Sequence, residues 1–192
     1  LRIWGSVKGG VIVPAEKPLI TTQCIRVPVT DGHTAAVFVS FENKPPKEAI
    51  LEDWRSFKGL PQLLELPSAP AQFITYFDEP DRPQIKLDRN IYGGMGVTAG
   101  RLREDTLFDY KFVGMSHNTL RGAAGGAVLM AELLCAEGYI LPGGRRSAYR
   151  GASLPSGIYG LREMKRRRDG VFFFVDDYMY CPILSGLIKV MK

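Results

Sequence analysis

Histidine occurs only twice in 192 residues and cysteine only three times, and each scarcity closes off a class of protein. Cys24, Cys135 and Cys181 have neither paired metal-ligand spacing nor the density of a secreted disulfide scaffold. No metal site is expected, and a reducing, cytoplasmic setting fits better. No stretch of eighteen apolar residues runs without a charge. The best candidate, residues 123–135, is short and contains Glu132, so no membrane span or membrane partner is expected. The sequence begins at Leu1 with no initiator Met and without the charged, apolar and small-residue regions of a signal peptide, so a fragment or a processed chain is expected. No repeat recurs at the periods of solenoids or propellers.

A basic excess is also missing from most of the chain. The net charge of +5 and pI near 9.2 suggest nucleic acid at first sight. However, residues 1–140 hold 15 Lys/Arg against 16 Asp/Glu, while residues 141–192 hold 10 against 4. Nucleic-acid binding requires basic groups on a defined face, and the main body offers none. Lys165–Arg168 reads as a solvated charge run.

What remains is an ordinary globular composition, 45% apolar and 23% charged, enough for one core. Residues 19–29 and 34–42 are rich in Val, Ile, Thr and Phe, and Thr30-Asp31-Gly32 punctuates them. Two strands are expected. Pro45-Pro46 leads into Ile50, Leu51, Trp54 and Phe57 at helical spacing, ending at Gly59, so a helix follows. Residues 60–71, interrupted by proline, read as an extended connection, 72–77 as a strand and 78–90 as loop. "GVTAGRLRED" and "LFDYKFVGM" have the pattern of an antiparallel hairpin. The alanine-rich run from Asn118 to near Gly138 reads as one long helix. The expected fold class is α+β, a mixed, mainly antiparallel sheet with helices packed on one face. After Leu141 the texture becomes Gly-, Ser- and Arg-rich without a usable period. A boundary is placed near residue 140, with 141–192 a basic extension.

Two residues around the first turn stand out for chemistry. Arg26 sits among Ile25, Val27 and Val29, so a buried guanidinium there would need an anion to offset its desolvation. Spacing leaves two partners open: a ligand carboxylate or phosphate held by the planar fork, or a structural acid such as Asp31. His33 follows Gly32 at the edge of a strand, where an imidazole could face a cleft and exchange a proton near neutral pH. It could equally do no more than hydrogen-bond the turn. His117, just before a helix, reads as a capping or supporting group. "GAAGGA" (122–127) lacks the Lys-Ser/Thr of a phosphate-binding loop and the G-x-G-x-x-G order of a dinucleotide site; its small residues suit close helix packing. "YGGMG" (92–96) reads as a turn in which glycine supplies positive φ.

The segments "CIRVPVTDGHTAAVFVSF", "LPSAP", "PDRPQIKLDRNIYGGMGVTAGRLRED" and "YKFVGMSHNTLRGAAGGAVLMAELL" together resemble the C-terminal, dimerisation half of aspartate-semialdehyde dehydrogenase over residues 1–140. This is a glyceraldehyde-3-phosphate-dehydrogenase-like domain. The resemblance implies NADPH-dependent reduction of 4-phospho-L-aspartate through a thioester on a cysteine, in lysine, methionine and threonine biosynthesis. It implies NADP as cofactor, a small-molecule substrate, and assembly as a homodimer or homotetramer. In the family's R-V-P-V-x-x-G-H motif the arginine binds the substrate α-carboxylate and the histidine is the acid/base catalyst, which correspond to Arg26 and His33. The asparagine beside the nicotinamide corresponds to Asn118. Gly122, Ala123 and Gly125 correspond to small residues that pack against the nucleotide-binding half.

The resemblance also implies that the N-terminal nucleotide-binding domain and the nucleophilic cysteine lie outside this sequence. Cys24 does not replace that nucleophile, since it precedes Arg26 on its own segment, and the chain alone is expected to be inactive. A second reading of a different class is a stand-alone, non-catalytic dimerisation or regulatory module. A third, nucleic-acid binding by the basic tail, would show as affinity that falls steeply with salt.

Overall fold

Apolar residues at every second position of His33-Thr-Ala-Ala-Val-Phe-Val39 and of Tyr110-Lys-Phe-Val-Gly-Met-Ser116 give each segment one face for a core and one for a different neighbour. The computed structural model describes residues 5–140; the expected basic extension, 141–192, lies outside the described residues. Two short strands, β1 (Ser6–Lys8) and β2 (Val11–Val13), form an antiparallel hairpin. Its loop is Gly9-Gly10 with φ of 55° and 79°, the left-handed pair that a two-residue hairpin turn requires. A four-stranded sheet then takes the order β3 (His33–Val39), β6 (Tyr110–Ser116), β5 (Val97–Glu104), β4 (Ile74–Phe77). β3–β6 and β5–β6 are antiparallel, while β4–β5 is parallel. The expected α+β class and the mixed, mainly antiparallel sheet are therefore present.

Helix α1 (Lys47–Ser56) starts after Pro46 and buries Ile50, Leu51 and Trp54, one apolar stripe, against one face of the sheet. Trp54 is fully buried, with Phe112 edge-on at 5.0 Å and Tyr76 at 5.8 Å between ring centroids. Val37, Ile74, Val97 and Ala99 belong to the same cluster. On the other face the connection through Arg82-Pro83 crosses so closely that a Cβ on Gly100 would stand 2.4 Å from the Arg82 carbonyl oxygen. The next helix in chain order, α2 (Leu60–Leu63), is followed after β4 by α3 (Ile85–Asp88) and last by α4 (Gly125–Ala136). A second cluster, Leu66, Met95, Leu129 and Leu133, holds α4 in place.

Four sequence expectations are corrected. Residues 14–32 form no strand, because no strand among the described residues offers them hydrogen bonds; the backbone bond they make there is local, Val29 N–H to Val27 O at 2.9 Å. Residues 60–63 wind into α2 instead of extending, since Pro61 suits a first helical turn and the Gln62 side chain accepts from the Gly59 N–H at 3.0 Å. Residues 85–88, expected as loop, form α3, whereas the turn expected over 92–96 is present as a 3-10 turn with Gly93 and Gly94 at φ of 64° and 81°. The long helix divides into a π-helical turn, Leu120–Ala124, and α4. The hairpin β1–β2 was not anticipated.

Candidate functional site at one end of the sheet

The turn before β3 is fixed from outside the sheet. Arg89 donates to the Thr30 carbonyl at 3.0 Å, Asp31 takes φ of 50°, and Gly32 is buried so tightly that a Cβ would meet Ile85 Cγ2 at 2.6 Å. Only glycine admits that approach. The chain therefore enters β3 at a set position and presents His33 as its first residue, exposed to solvent. This matches the expected placement of His33 where a turn gives way to a strand.

Antiparallel pairing puts Ser116, the last residue of β6, directly opposite His33. Directly opposed residues project on the same face with Cβ atoms about 4.5–5.5 Å apart. Ser116 is 2% exposed, and its Oγ is buried without a hydrogen-bond partner. Val97 occupies its other flank in the register with β5. Two residues on, Asn118 carries a second buried oxygen, Oδ1, without a partner. Buried polar atoms are nearly always satisfied, so two orphans within three residues at one sheet end mark an unfinished site.

His117, between them, is buried and turned away into a structural task. Its Nδ1 accepts from the backbone N–H groups of Thr119 and Leu120, each at 3.2 Å. That is the capping role expected of it, and it fixes the tautomer with the proton on Nε2. The π-helical turn that follows is closed by Gly122 N–H to His117 O at 3.1 Å and Ala124 N–H to Thr119 O at 2.8 Å. Such turns concentrate at functional sites. Arg121 within it is 1% exposed, with its guanidinium over the Phe73 ring at 4.6 Å. Gly125 is needed inside this domain, since a Cβ would stand 2.5 Å from Met95 Sδ. Ala123 is exposed, and Gly122 would accept a Cβ in ordinary contact.

Arg26 does not lie where the sequence suggested. It is exposed in the irregular stretch before the turn, and among the described residues it makes no ion pair with Asp31 or another acid. Its neighbours Ile25, Val27 and Val29 are 75%, 58% and 47% exposed. The desolvation argument for a compensating anion therefore fails for this stretch as it stands; it regains force only where something covers these apolar side chains. Cys24 is likewise exposed, belongs to no strand and keeps a free thiol. The described structure thus unites His33, Ser116 and Asn118 at one edge, while Arg26 approaches along the chain from seven residues upstream.

Sequence reasoning missed Ser116 and Arg121. The signal for Ser116 was its place in "YKFVGMS": position 116 shares the parity of Tyr110 and Phe112, the buried face, so a hydroxyl there needs a reason.

The family described as "Semialdehyde dehydrogenase, dimerisation domain" matches residues 2–121. Aspartate-semialdehyde dehydrogenase of Methanothermobacter thermautotrophicus is 45% identical over 136 residues, 70% of this chain and 39% of the relative. The Candida albicans enzyme is 44% identical over 132 residues, 68% of this chain and 36% of its own length. The crystal structure of aspartate semialdehyde dehydrogenase with NADP from Candida albicans superposes with a TM-score of 0.63 at 41% identity, covering 72% of this chain and 40% of that one. The match thus spans well under half the length of these relatives.

Proposed function

Since the chain belongs to the semialdehyde dehydrogenase dimerisation-domain family, we propose that it supplies the acid/base and substrate-carboxylate half of an aspartate-semialdehyde dehydrogenase. The reaction is NADPH-dependent reductive dephosphorylation of 4-phospho-L-aspartate to L-aspartate 4-semialdehyde. The observation that carries the proposal is the β3–β6 register: it brings the exposed imidazole of His33 to the sheet end where Ser116 and Asn118 leave buried oxygens unmet.

His33 is solvent-facing and anchored at its backbone by Gly32 and Arg89, which suits a group that passes a proton and must return to one place. In the proposed reaction it gives and takes the proton as the tetrahedral carbon on the enzyme thioester forms and collapses. Arg26 supplies a two-point contact to the substrate α-carboxylate. Its exposure makes it available for this role, and its apolar flanks favour closure over it when substrate or another part of the enzyme covers them. The Asn118 Oδ1 requires an N–H donor, and the carboxamide of nicotinamide offers one; NADPH when bound supplies the hydride. The nucleophilic cysteine and the nucleotide-binding fold belong, in this proposal, to a segment beyond these residues. The domain, with residues 1–140 as its folded unit, associates with further copies of the enzyme as a homodimer or homotetramer and serves a small-molecule substrate in the cytoplasm.

In a full-length enzyme carrying this segment, His33→Ala is expected to lower kcat by about 10²–10⁴. Arg26→Lys is expected chiefly to raise KM, because a point charge loses the planar fork. Steady-state kinetics on 4-phospho-L-aspartate or, in reverse, on the semialdehyde with phosphate checks both. Unchanged kinetics in the two variants removes the proposed roles.

A further inference from the structure

The cross-strand partner of His33 is a serine that the proposed reaction does not use. Ser116 sits on the sheet face that elsewhere buries Phe112, Tyr110, Val97 and Ala99. A hydroxyl at 2% exposure with no hydrogen-bond partner is a costly occupant of such a position if never satisfied. An alanine would fill it without that cost. The neighbours in register are Val97 on one side and His33 on the other. Valine offers no side-chain hydrogen-bonding atom, so the imidazole is the polar group the sheet brings to the hydroxyl. His33 is exposed, so its ring is free to turn about χ1 and χ2, and an opposed pair at about 4.5–5.5 Å between Cβ atoms brings ring nitrogen and hydroxyl within bonding reach.

We propose that Ser116 is a positioning residue for His33: its buried hydroxyl accepts the N–H of the imidazole nitrogen that points inward. The opposite nitrogen is thereby left as the lone-pair site that faces the reacting carbon. The inference rests on the reading of His33 as acid/base catalyst for its functional value, but the contact itself can be tested without activity. A hydroxyl that accepts one N–H selects one neutral tautomer, as the two amides on Nδ1 do for His117.

The test is nitrogen-15 NMR of the two histidine rings in the full 192-residue chain above the imidazole titration range, in the wild type, Ser116→Ala and Ser116→Thr. His117 serves as an internal report on the fold. In the wild type, His33 should show one dominant tautomer; in Ser116→Ala that preference should collapse to the ratio of a free imidazole while the His117 signals stay in place; Ser116→Thr, which restores a hydroxyl, should recover it. A His33 spectrum identical in the wild type and Ser116→Ala overturns the proposal. If Ser116→Ala loses the His117 signals and so fails to fold, Ser116→Thr decides: a folded threonine variant with a free-imidazole His33 also overturns it. A fixed tautomer in this chain together with unchanged turnover of His33→Ala in a full-length enzyme carrying the segment would leave the contact standing and remove the catalytic reading, so the two can fail separately.

Discussion

At the scale of single residues, the structure depends on places where one atom more would not fit. Gly100 is the sharpest of these. Its missing side chain lets the Arg82 carbonyl pass at a distance where a Cβ would be only 2.4 Å away, with Pro83 Cδ at 2.9 Å. The carbonyl is backbone and the proline ring is closed onto it, in a segment held by Arg82 and Asp88, where Arg82 Nε donates to Asp88 Oδ2 at 2.8 Å and the Gln84 N–H donates to the same carboxylate at 2.6 Å. Burial alone would raise the Asp88 pKa, but these donors outweigh it and hold the carboxyl below its usual range. The obstacle cannot swing aside as a free side chain would. Gly100→Ala is therefore expected to destabilise the chain by about 1–3 kcal/mol, read as a lower urea midpoint with unchanged slope. A midpoint equal to the wild type would mean that the crossing connection yields more easily than its anchors suggest.

At the scale of elements, the β5–β6 hairpin shows how a turn is tied by charge. Lys111 Nζ lies 2.7 Å from Asp105 Oδ1, and the Leu107 and Phe108 N–H groups each donate to Oδ2 at 3.1 Å. The hydrogen bond from Lys111, then that from Leu107, lowers the Asp105 pKa from 3.8 to about 2. A carboxyl whose folded pKa lies below its unfolded value contributes stability that is fully present above the unfolded pKa and is lost as pH falls through the folded one. The contribution is therefore expected to fade between about pH 3.8 and about 2. In Asp105→Asn this share of the acid dependence should vanish: thermal midpoints of variant and wild type, apart at pH 5, should converge toward pH 2. Curves that keep a constant separation would sink the assignment.

Elements also show what was legible in the sequence. α1 could be read because Ile50, Leu51 and Trp54 repeat with the period of a helix against a sheet, and β5 and β6 because two strand-like runs flank a short polar turn. The 19–29 stretch carries the same composition as a strand, yet composition cannot supply a neighbour; with none to bond to, it stays irregular. α2 and α3 were hidden because four-residue helices show too little period, and what winds α2 is a side chain, Gln62, reaching back to a backbone N–H. Of the candidate site, His33 and Asn118 could be named from the motif. Ser116 could not, since its significance is a register, a relation between two segments that neither displays alone.

At the scale of the molecule, the stretch of chain ahead of β3 leaves a run of apolar side chains uncovered. Val11, Leu19, Ile25 and Val27 are each more than half exposed, and Val29 nearly so, whereas α1 and the sheet face beneath it bury theirs in one cluster. Uncovered clusters of this kind mark contact surfaces, and the family is described as a dimerisation domain. The isolated chain is accordingly expected to self-associate. Ile25→Asp with Val27→Asp should shift it toward monomer in sedimentation equilibrium while the far-ultraviolet spectrum, dominated by the sheet and helices, stays unchanged. A wild-type chain that is monomeric at every concentration would count against this surface as a site of self-contact.

The pairing of β3 with β6 has a further consequence, in time. His33 and Ser116 stand 83 residues apart in the sequence, and β6 is the last of the four strands of this sheet to be made although it lies between β3 and β5. A ribosome therefore releases β3 long before any strand exists to bond it, and β4 before its parallel neighbour. Long-range pairings of this kind form slowly and late. The end of the sheet that carries the imidazole comes into being only when the central strand slides home, so a chain stalled or cleaved before Tyr110 would carry His33 but no opposing serine to face it.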